Sequence, residues 1–180
     1  MSRDKIVHFV SFETILNTEQ FINKWQEYTR SVNIDQDVTM QQSVKGNGFK
    51  YIAQHRCTSG EMEFVFEKAK RSSRVREVGI TAKLAGGYLL LQTEKKNYGR
   101  MKENKVFAFL NNAYIDPGIY KRSLTNFKLN IYQAYYENCK FTYILEFFIK
   151  DESLSALLEL LKQNNVAETG VYKECVMQLL

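Results

Sequence analysis

The residues of this sequence best suited to chemistry are its two histidines and the polar run beside the second one. His8 lies in the first apolar stretch, and His55 stands between Gln54 and Arg56 where a later apolar stretch ends. An imidazole with a pKa near neutrality can transfer a proton, and a guanidinium can hold an anionic or enolate oxygen. We therefore predict His8, His55 and Arg56 as catalytic residues.

Two further side chains complete the predicted site. Trp25 would supply an apolar wall, and Gln54 would bind substrate beside the histidines. The strand register decides whether His8 and His55 share a face, because a slip of one residue moves every side chain to the other face. The alternative interpretation leaves His55 and Arg56 at a solvent-exposed strand end and makes His8 a core residue.

Neither a metal nor a cofactor is predicted. Two histidines without a third ligand nearby make a poor metal site, and the three cysteines, Cys57, Cys139 and Cys175, form no CxxC pair. The glycine-rich phosphate motifs and the GxSxG motif of serine hydrolases are missing from the sequence. Nucleotide binding and serine-hydrolase chemistry therefore have no support.

Composition bounds the class of protein. The 180 residues are 44% hydrophobic and 25% charged, which excludes a disordered chain and allows one domain or two small ones. The net charge of +5 permits an anionic partner without requiring one. The odd cysteine count favours a reducing compartment, and no apolar run is long enough for a membrane span, so we expect a cytoplasmic protein.

The hydrophobic periodicity alternates between the strand and helix periods in the order strand, helix, strand, strand, helix, strand, and then repeats that order. A capping box at Asn17 and Gln20 opens the first helix, Asp116-Pro117 opens a later one, and Asp151 is predicted to cap the last. Gly46-Asn47-Gly48 predicts a hairpin turn, and Gly86-Gly87 is expected to break a strand. Thr58 and Glu61 form another predicted capping box.

Four identities support an internal duplication. Four residues of the first predicted hairpin recur 92 positions later, and the pairs are Gln41 and Gln133, Phe49 and Phe141, Tyr51 and Tyr143, and Ile52 and Ile144. An internal repeat of this length would explain the repeated order of elements.

The predicted fold class is α+β, with two ferredoxin-like βαββαβ halves packed sheet to sheet. The halves would span residues 1–93 and 105–180, and residues 94–104 would form a linker. Strand 141–149 is apolar on both faces except at Thr142 and Glu146, so its second face needs a covering layer. We expect the sheet of the other half to provide that layer.

This arrangement resembles the dimeric α+β barrel superfamily, and in particular the branch of antibiotic-biosynthesis monooxygenases. The segments that carry the resemblance are KIVHFVSFE, EQFINKWQEYTR with Trp25 at its middle, and FKYIAQHRCTSGEMEFVFE. The resemblance implies domains that pair through their sheets, here as a pseudo-dimer within one chain. It also implies cofactor-independent oxygenation or haem degradation, but the Asn, Trp and His of the haem-degrading branch have no match, since Ser11 stands on the first strand.

The function predicted from these residues is binding of a small hydrophobic or aromatic molecule, with a monooxygenase- or isomerase-like conversion left open. One alternative is a tandem RNA-recognition module, because residues 48–53 (GFKYIA) carry a glycine and two aromatic rings suited to stacking on bases. Another is a non-catalytic interaction protein. The expected partner is a small-molecule ligand, with nucleic acid disfavoured, no membrane, and the chain a monomer or homodimer.

Overall fold

The computed structural model of the chain describes residues 6–31, 37–46, 49–57, 60, 80–99, 103–111, 116–164 and 166–175. The elements within these ranges are numbered here in chain order. They are β1 (Ile6–Thr14), α1 (Thr18–Ser31), β2 (Asp37–Gly46), β3 (Tyr51–Cys57), β4 (Ile80–Lys96), β5 (Asn104–Leu110), α2 (Pro117–Ser123), β6 (Phe127–Ala134), β7 (Tyr143–Ile149), α3 (Asp151–Gln163) and β8 (Glu168–Glu174).

The eight strands close into one antiparallel barrel in the order β1-β3-β2-β8-β5-β7-β6-β4. The predicted fold of two ferredoxin-like βαββαβ halves packed sheet to sheet is therefore wrong. Strands from the two parts of the chain pair edge to edge instead, β2 with β8 and β4 with β6. The apolar strand face that required a covering layer is buried because the sheet curves round to enclose it.

Side chains alternate between the lumen of the barrel and its outer surface, as the two-residue period of a strand requires. The lumen holds a cluster centred on Phe9, whose ring lies 5.5 Å from Tyr88, 5.9 Å from Phe107 and 5.4 Å from Tyr132. A second cluster packs α1 on the outside of β1 and β3, and a third lies with α2 and α3 outside β5 to β7.

Two of the three predicted helix caps within the described residues are confirmed. The backbone nitrogen of Gln20 donates to Asn17 Oδ1 at 2.9 Å, and that of Asn17 donates to Gln20 Oε1 at 3.2 Å. Asp116 accepts from the backbone nitrogen of Gly118 at 2.9 Å. The prediction that Asp151 caps α3 is wrong, because Lys150 is the N-cap residue. Asp151 lies in the first turn, where a negative charge favours the helix dipole.

Gly86-Gly87 does not end a strand, contrary to the prediction. β4 runs through both glycines to Lys96, with register shifts against β1 and β6. Gly86 has a φ of +143°, a backbone conformation that side chains with a Cβ rarely adopt. Because β4 reaches Lys96 and β5 begins at Asn104, the connection between them is shorter than the predicted linker 94–104.

In three of the four residue pairs of the 92-residue repeat, both members lie on the same side of the barrel wall. Phe49 and Phe141 pack in the lumen cluster together with Ile52 and Ile144, while Tyr51 and Tyr143 lie in the outer clusters. Gln41, however, pairs with Ile52, whereas Gln133 pairs with Tyr143, so the two amides face opposite sides of the sheet. Duplication itself stays a prediction.

Two predicted features, the turn at Asn47-Gly48 and the capping box of Thr58 and Glu61, lie outside the described residues. Within the part of the chain that the structure describes, no helix has the length and apolar character needed to cross a membrane.

Candidate functional site

The two histidines lie side by side beneath α1, on the outside of the barrel wall. His8 on β1 is the direct cross-strand partner of His55 on β3, so their side chains share a face. They are 1% and 2% exposed. The indole ring of Trp25, from α1, meets the ring of His55 edge to face at 5.7 Å. The structure therefore brings together three of the five predicted site residues.

Burial keeps both imidazoles neutral. Desolvation, with repulsion from His8, lowers the pKa of His55 to about 4. Desolvation also lowers the pKa of His8, against the opposing effect of backbone hydrogen bonds at His55 and Ile6. The Nδ1 atom of His8 lies 3.6 Å from the thiol of Cys57. A pair of buried, neutral imidazoles is well placed to hold this face of the sheet together.

Gln54 and Arg56 point the other way, into the lumen. They alternate with His55 along β3. Gln54 pairs with Phe9 and Arg56 pairs with Val7. Phe9 and Val7 both belong to the lumen cluster. The five predicted residues therefore do not line one cavity. They divide between the outer face under α1 and the interior of the barrel.

The lumen holds a buried carboxylate, and each of its two oxygens has two donor groups within hydrogen-bonding distance. Glu146 on β7 is 1% exposed. Its Oε1 accepts from Gln54 Nε2 at 3.1 Å and lies 3.1 Å from Lys105 Nζ. Its Oε2 accepts from Asn130 Nδ2 at 2.9 Å and from the Tyr132 hydroxyl at 2.8 Å. We call these five residues the Glu146 network.

The network keeps Glu146 ionised. Burial by itself would raise the pKa of this carboxyl, but the Lys105 ammonium and the hydrogen bonds from Asn130 and Tyr132 hold it below its usual value. The same carboxylate, together with burial, raises the pKa of the Tyr132 hydroxyl. A buried charge of this kind is stable only when it is paired and hydrogen-bonded, as it is here.

A cavity of about 590 Å³ opens at the end of the barrel where the network lies. Its lining includes Gln41, Lys105, Phe148 and Tyr172. Gln41 is 0% exposed, yet neither its amide oxygen nor its amide nitrogen has a hydrogen-bond partner among the described residues. Buried polar groups are nearly always paired, so an unpaired amide is uncommon at such a position. We call this the lumen cavity.

Sequence reasoning missed Glu146, Lys105 and Gln41. Glu146 carried a usable signal, because a single charge within the apolar run of residues 143–149 must be paired once the strand is buried. Lys105 lies near the start of β5 and Gln41 among other polar residues of β2, and neither pattern distinguishes a lumen position from a surface one.

One branch of the superfamily that this sequence resembles degrades haem, but the lumen of this barrel contains no histidine. Both histidines of the chain face away from the lumen, toward α1. Throughout the described ranges, no group of three or more His, Cys, Asp or Glu side chains could hold a metal ion. The residues described therefore do not fit haem in the lumen with a histidine ligand.

The aromatic rings of the RNA-recognition alternative are not available for stacking on bases. Tyr51 is 0% exposed, and its ring stacks on Phe21 of α1 at 4.1 Å. Phe49 packs edge to face on Phe109 at 5.6 Å. The rings fill the clusters on the two sides of the barrel wall, so the predicted base-binding surface is absent from this described segment.

Comparison with solved structures shows where this fold has been seen. Chlorite dismutase from Candidatus Nitrospira defluvii superposes with TM-scores of 0.61 for a point variant and 0.60 for the complex with imidazole. Both are 11% identical to this chain, and the superpositions cover 96% of it and 93% and 92% of theirs. An anthrone oxidase-like protein superposes with a TM-score of 0.52 at 13% identity, covering 96% of this chain and 92% of that one.

At these identities the likeness shows the fold alone. No protein-family model matches the sequence, and no curated protein matches it significantly. The monooxygenase branch and the tandem pseudo-dimer remain predictions.

Proposed function

We propose that this chain binds a small, largely apolar molecule in the lumen cavity. The observation that carries the proposal is the amide of Gln41, which is fully buried, lines the cavity and has no hydrogen-bond partner among the described residues. Leaving a buried donor and acceptor unpaired costs about 1–3 kcal/mol for each group. A bound molecule that supplies both partners would recover that free energy.

The size and lining of the cavity support the same proposal. A volume of about 590 Å³ lies within the range of small-molecule sites, which are mainly apolar with a few placed polar groups. Phe148 and Tyr172 offer aromatic surface, and the other seven lining residues are polar or charged. The two rings support the small aromatic ligand predicted from the sequence.

The Glu146 network would serve to position Lys105. The Lys105 ammonium is fixed between the carboxylate of Glu146 at 3.1 Å and the ring of Phe148, whose centroid lies 5.0 Å away. A polar side chain fixed before the ligand arrives costs less free energy to order on binding. Gln54, predicted as a substrate-binding residue, would then act through Glu146 as a positioning residue.

The proposal is for binding, and conversion stays a separate prediction. An ionised carboxylate has about four acceptor positions, and Glu146 uses them on Lys105, Gln54, Asn130 and Tyr132. It therefore has no free position from which to take a proton from a ligand. A monooxygenase- or isomerase-like reaction, with His8, His55 and Arg56 in the predicted roles, would need a turnover assay with the ligand once it is found.

Nuclear magnetic resonance of the side-chain amides tests binding directly. The Gln41 amide signal is assigned by its loss in a Gln41→Leu variant, and the protein is titrated with a library of small aromatic fragments. We expect fragments that bind to shift this signal, and their affinity to fall in Gln41→Leu. Gln133→Leu is the matched control, because Gln133 is exposed on the outer side of β6. A library with no fragment that shifts the Gln41 signal would contradict the proposal.

A further inference from the structure

We infer that the ligand of the lumen cavity is uncharged and carries a hydrogen-bond donor next to an acceptor, as in a lactam or a carboxamide. The inference rests on the proposed function and specifies the chemical class that the same site would take. It follows from the chemistry of the buried groups that line the cavity and from the state of the charged ones, which are paired or exposed.

The buried polar groups of the lining that have no hydrogen-bond partner among the described residues are neutral: the amide of Gln41 and the hydroxyl of Tyr172. Gln41 and Tyr172 are each 0% exposed, and Lys105, another polar side chain of the lining, is already in an ion pair with Glu146. The oxygen of Gln41 accepts and its nitrogen donates, and both atoms lie at one end of the side chain. A ligand that satisfies both must present one donor and one acceptor side by side.

The charged side chains that line the cavity are paired or exposed. The Asp151 carboxylate accepts from Asn104 Nδ2 at 2.6 Å, and the Glu103 carboxylate accepts from the Tyr98 hydroxyl at 3.0 Å. Lys173 and Glu174 are both exposed at the rim, where water screens them. None of these described side chains offers an uncompensated buried charge to a ligand.

For an anionic ligand, the cations of the lining are Lys105, which is already paired with Glu146, and Lys173, which is exposed at the rim, so neither is a free buried partner. Transfer of an unpaired ion into a buried site costs several kcal/mol, whereas a neutral amide loses only hydrogen bonds that Gln41 replaces. An apolar ligand of the same shape would leave both Gln41 atoms unpaired. A neutral planar molecule with an N–H beside a C=O meets both conditions.

Three probes of one bicyclic size test the class. They are 2-quinolone, with N–H beside C=O; quinoline, a neutral acceptor without the donor; and 2-naphthoate, an anion. Dissociation constants are measured by isothermal titration calorimetry for the original chain and each variant, and the Gln41 side-chain amide signal of the original chain reports whether a probe binds in the cavity. We expect 2-quinolone to bind at least about fivefold more tightly than either other probe, since each neutral hydrogen bond contributes about 1 kcal/mol.

The variant series separates the inference from the proposed function. In Gln41→Leu the preference for 2-quinolone over quinoline should disappear, and in Gln133→Leu it should remain. Gln41→Met is the second variant if Gln41→Leu does not fold. Tighter binding of 2-naphthoate at the Gln41 signal, or a preference that survives Gln41→Leu, would overturn the inference and leave a binding site in place. Failure of all three probes to move the Gln41 signal would overturn both.

Discussion

Gln54 and Glu146 hydrogen-bond across the full width of the barrel. The amide nitrogen of Gln54 lies 3.1 Å from Glu146 Oε1, although the two residues are 92 positions apart in the chain. Their strands, β3 and β7, lie on opposite sides of the eight-stranded ring. The contact therefore ties the two parts of the chain together through the lumen, in addition to the strand pairs in the wall.

Removing the charge of Glu146 should destabilise the protein. We expect Glu146→Gln to lower the free energy of unfolding by about 3 kcal/mol, because it leaves the Lys105 ammonium, which is 15% exposed, without its counterion. Chemical denaturation monitored by circular dichroism measures the change. Lys162→Met, which breaks an exposed ion pair with Glu159, is the control and should change stability by less than about 1 kcal/mol.

The double variant Glu146→Gln with Lys105→Met completes the test of this ion pair. It removes both charges, so its loss of stability should be smaller than the sum of the two single losses. Strictly additive losses would show that the two side chains are not coupled.

The pH dependence of stability should report the buried state of His55. Its pKa is about 4 in the folded protein and about 6.5 in the unfolded chain, so only the unfolded chain gains a proton between these values. The contribution of His55 is complete above pH 6.5 and is lost as the pH falls toward 4. From pH 6.5 to pH 5 we expect a loss of about 2 kcal/mol.

Urea denaturation at several pH values measures this slope in the original chain and in His55→Phe. The variant keeps a ring against Trp25 and has no group that titrates at this position, so its slope over pH 5–6.5 should be reduced. His8, whose pKa is also lowered by burial, should keep part of the slope in the variant. Equal slopes in the two proteins would contradict a buried, neutral His55.

Much of the local structure could be predicted from sequence, but the closure of the barrel could not. The capping box at Asn17 and the helix start at Asp116 depend on a few adjacent residues, and both are confirmed. Closure depends on pairing between β2 and β8 and between β4 and β6, which are far apart in the chain. An apolar strand face indicates burial without indicating whether another sheet or the same sheet covers it.

The candidate site shows the same division. The separation of Gln54 and Arg56 from His55 could be predicted from the alternation of side chains along one strand, whereas the pairing of His8 with His55 required the register. Glu146 was overlooked because its strand was interpreted through its apolar residues. Its four partners come from three different strands, β3, β5 and β6, and no local pattern connects them.

Gly87 should not tolerate a side chain. A Cβ atom there would lie 2.6 Å from a ring carbon of Tyr136 and 3.1 Å from Nε2 of His8. We expect Gly87→Ala to lower the free energy of unfolding by about 1–3 kcal/mol, because neighbouring side chains must move. Gly99→Ala is the control, since no atom lies within 4 Å of its Cβ position. Similar melting temperatures for the two variants would contradict this packing.

The capping box of α1 should contribute measurably to stability. Asn17→Ala removes the side-chain acceptor for the backbone nitrogen of Gln20 and should cost about 1 kcal/mol. Asn17→Ser, which retains a capping oxygen, should restore most of that loss. Thermal denaturation of the two variants measures the difference, and an equal effect of both substitutions would show that the cap is not the cause.

The pairing of β2 with β8 also has a consequence for synthesis on the ribosome. β2 begins at Asp37, but its partner strand ends at Glu174. During translation one edge of β2 therefore stays unpaired until β8 leaves the exit tunnel. A nascent chain in that state presents a row of unsatisfied backbone groups, and chaperones that shield exposed strands would be of most use during this interval.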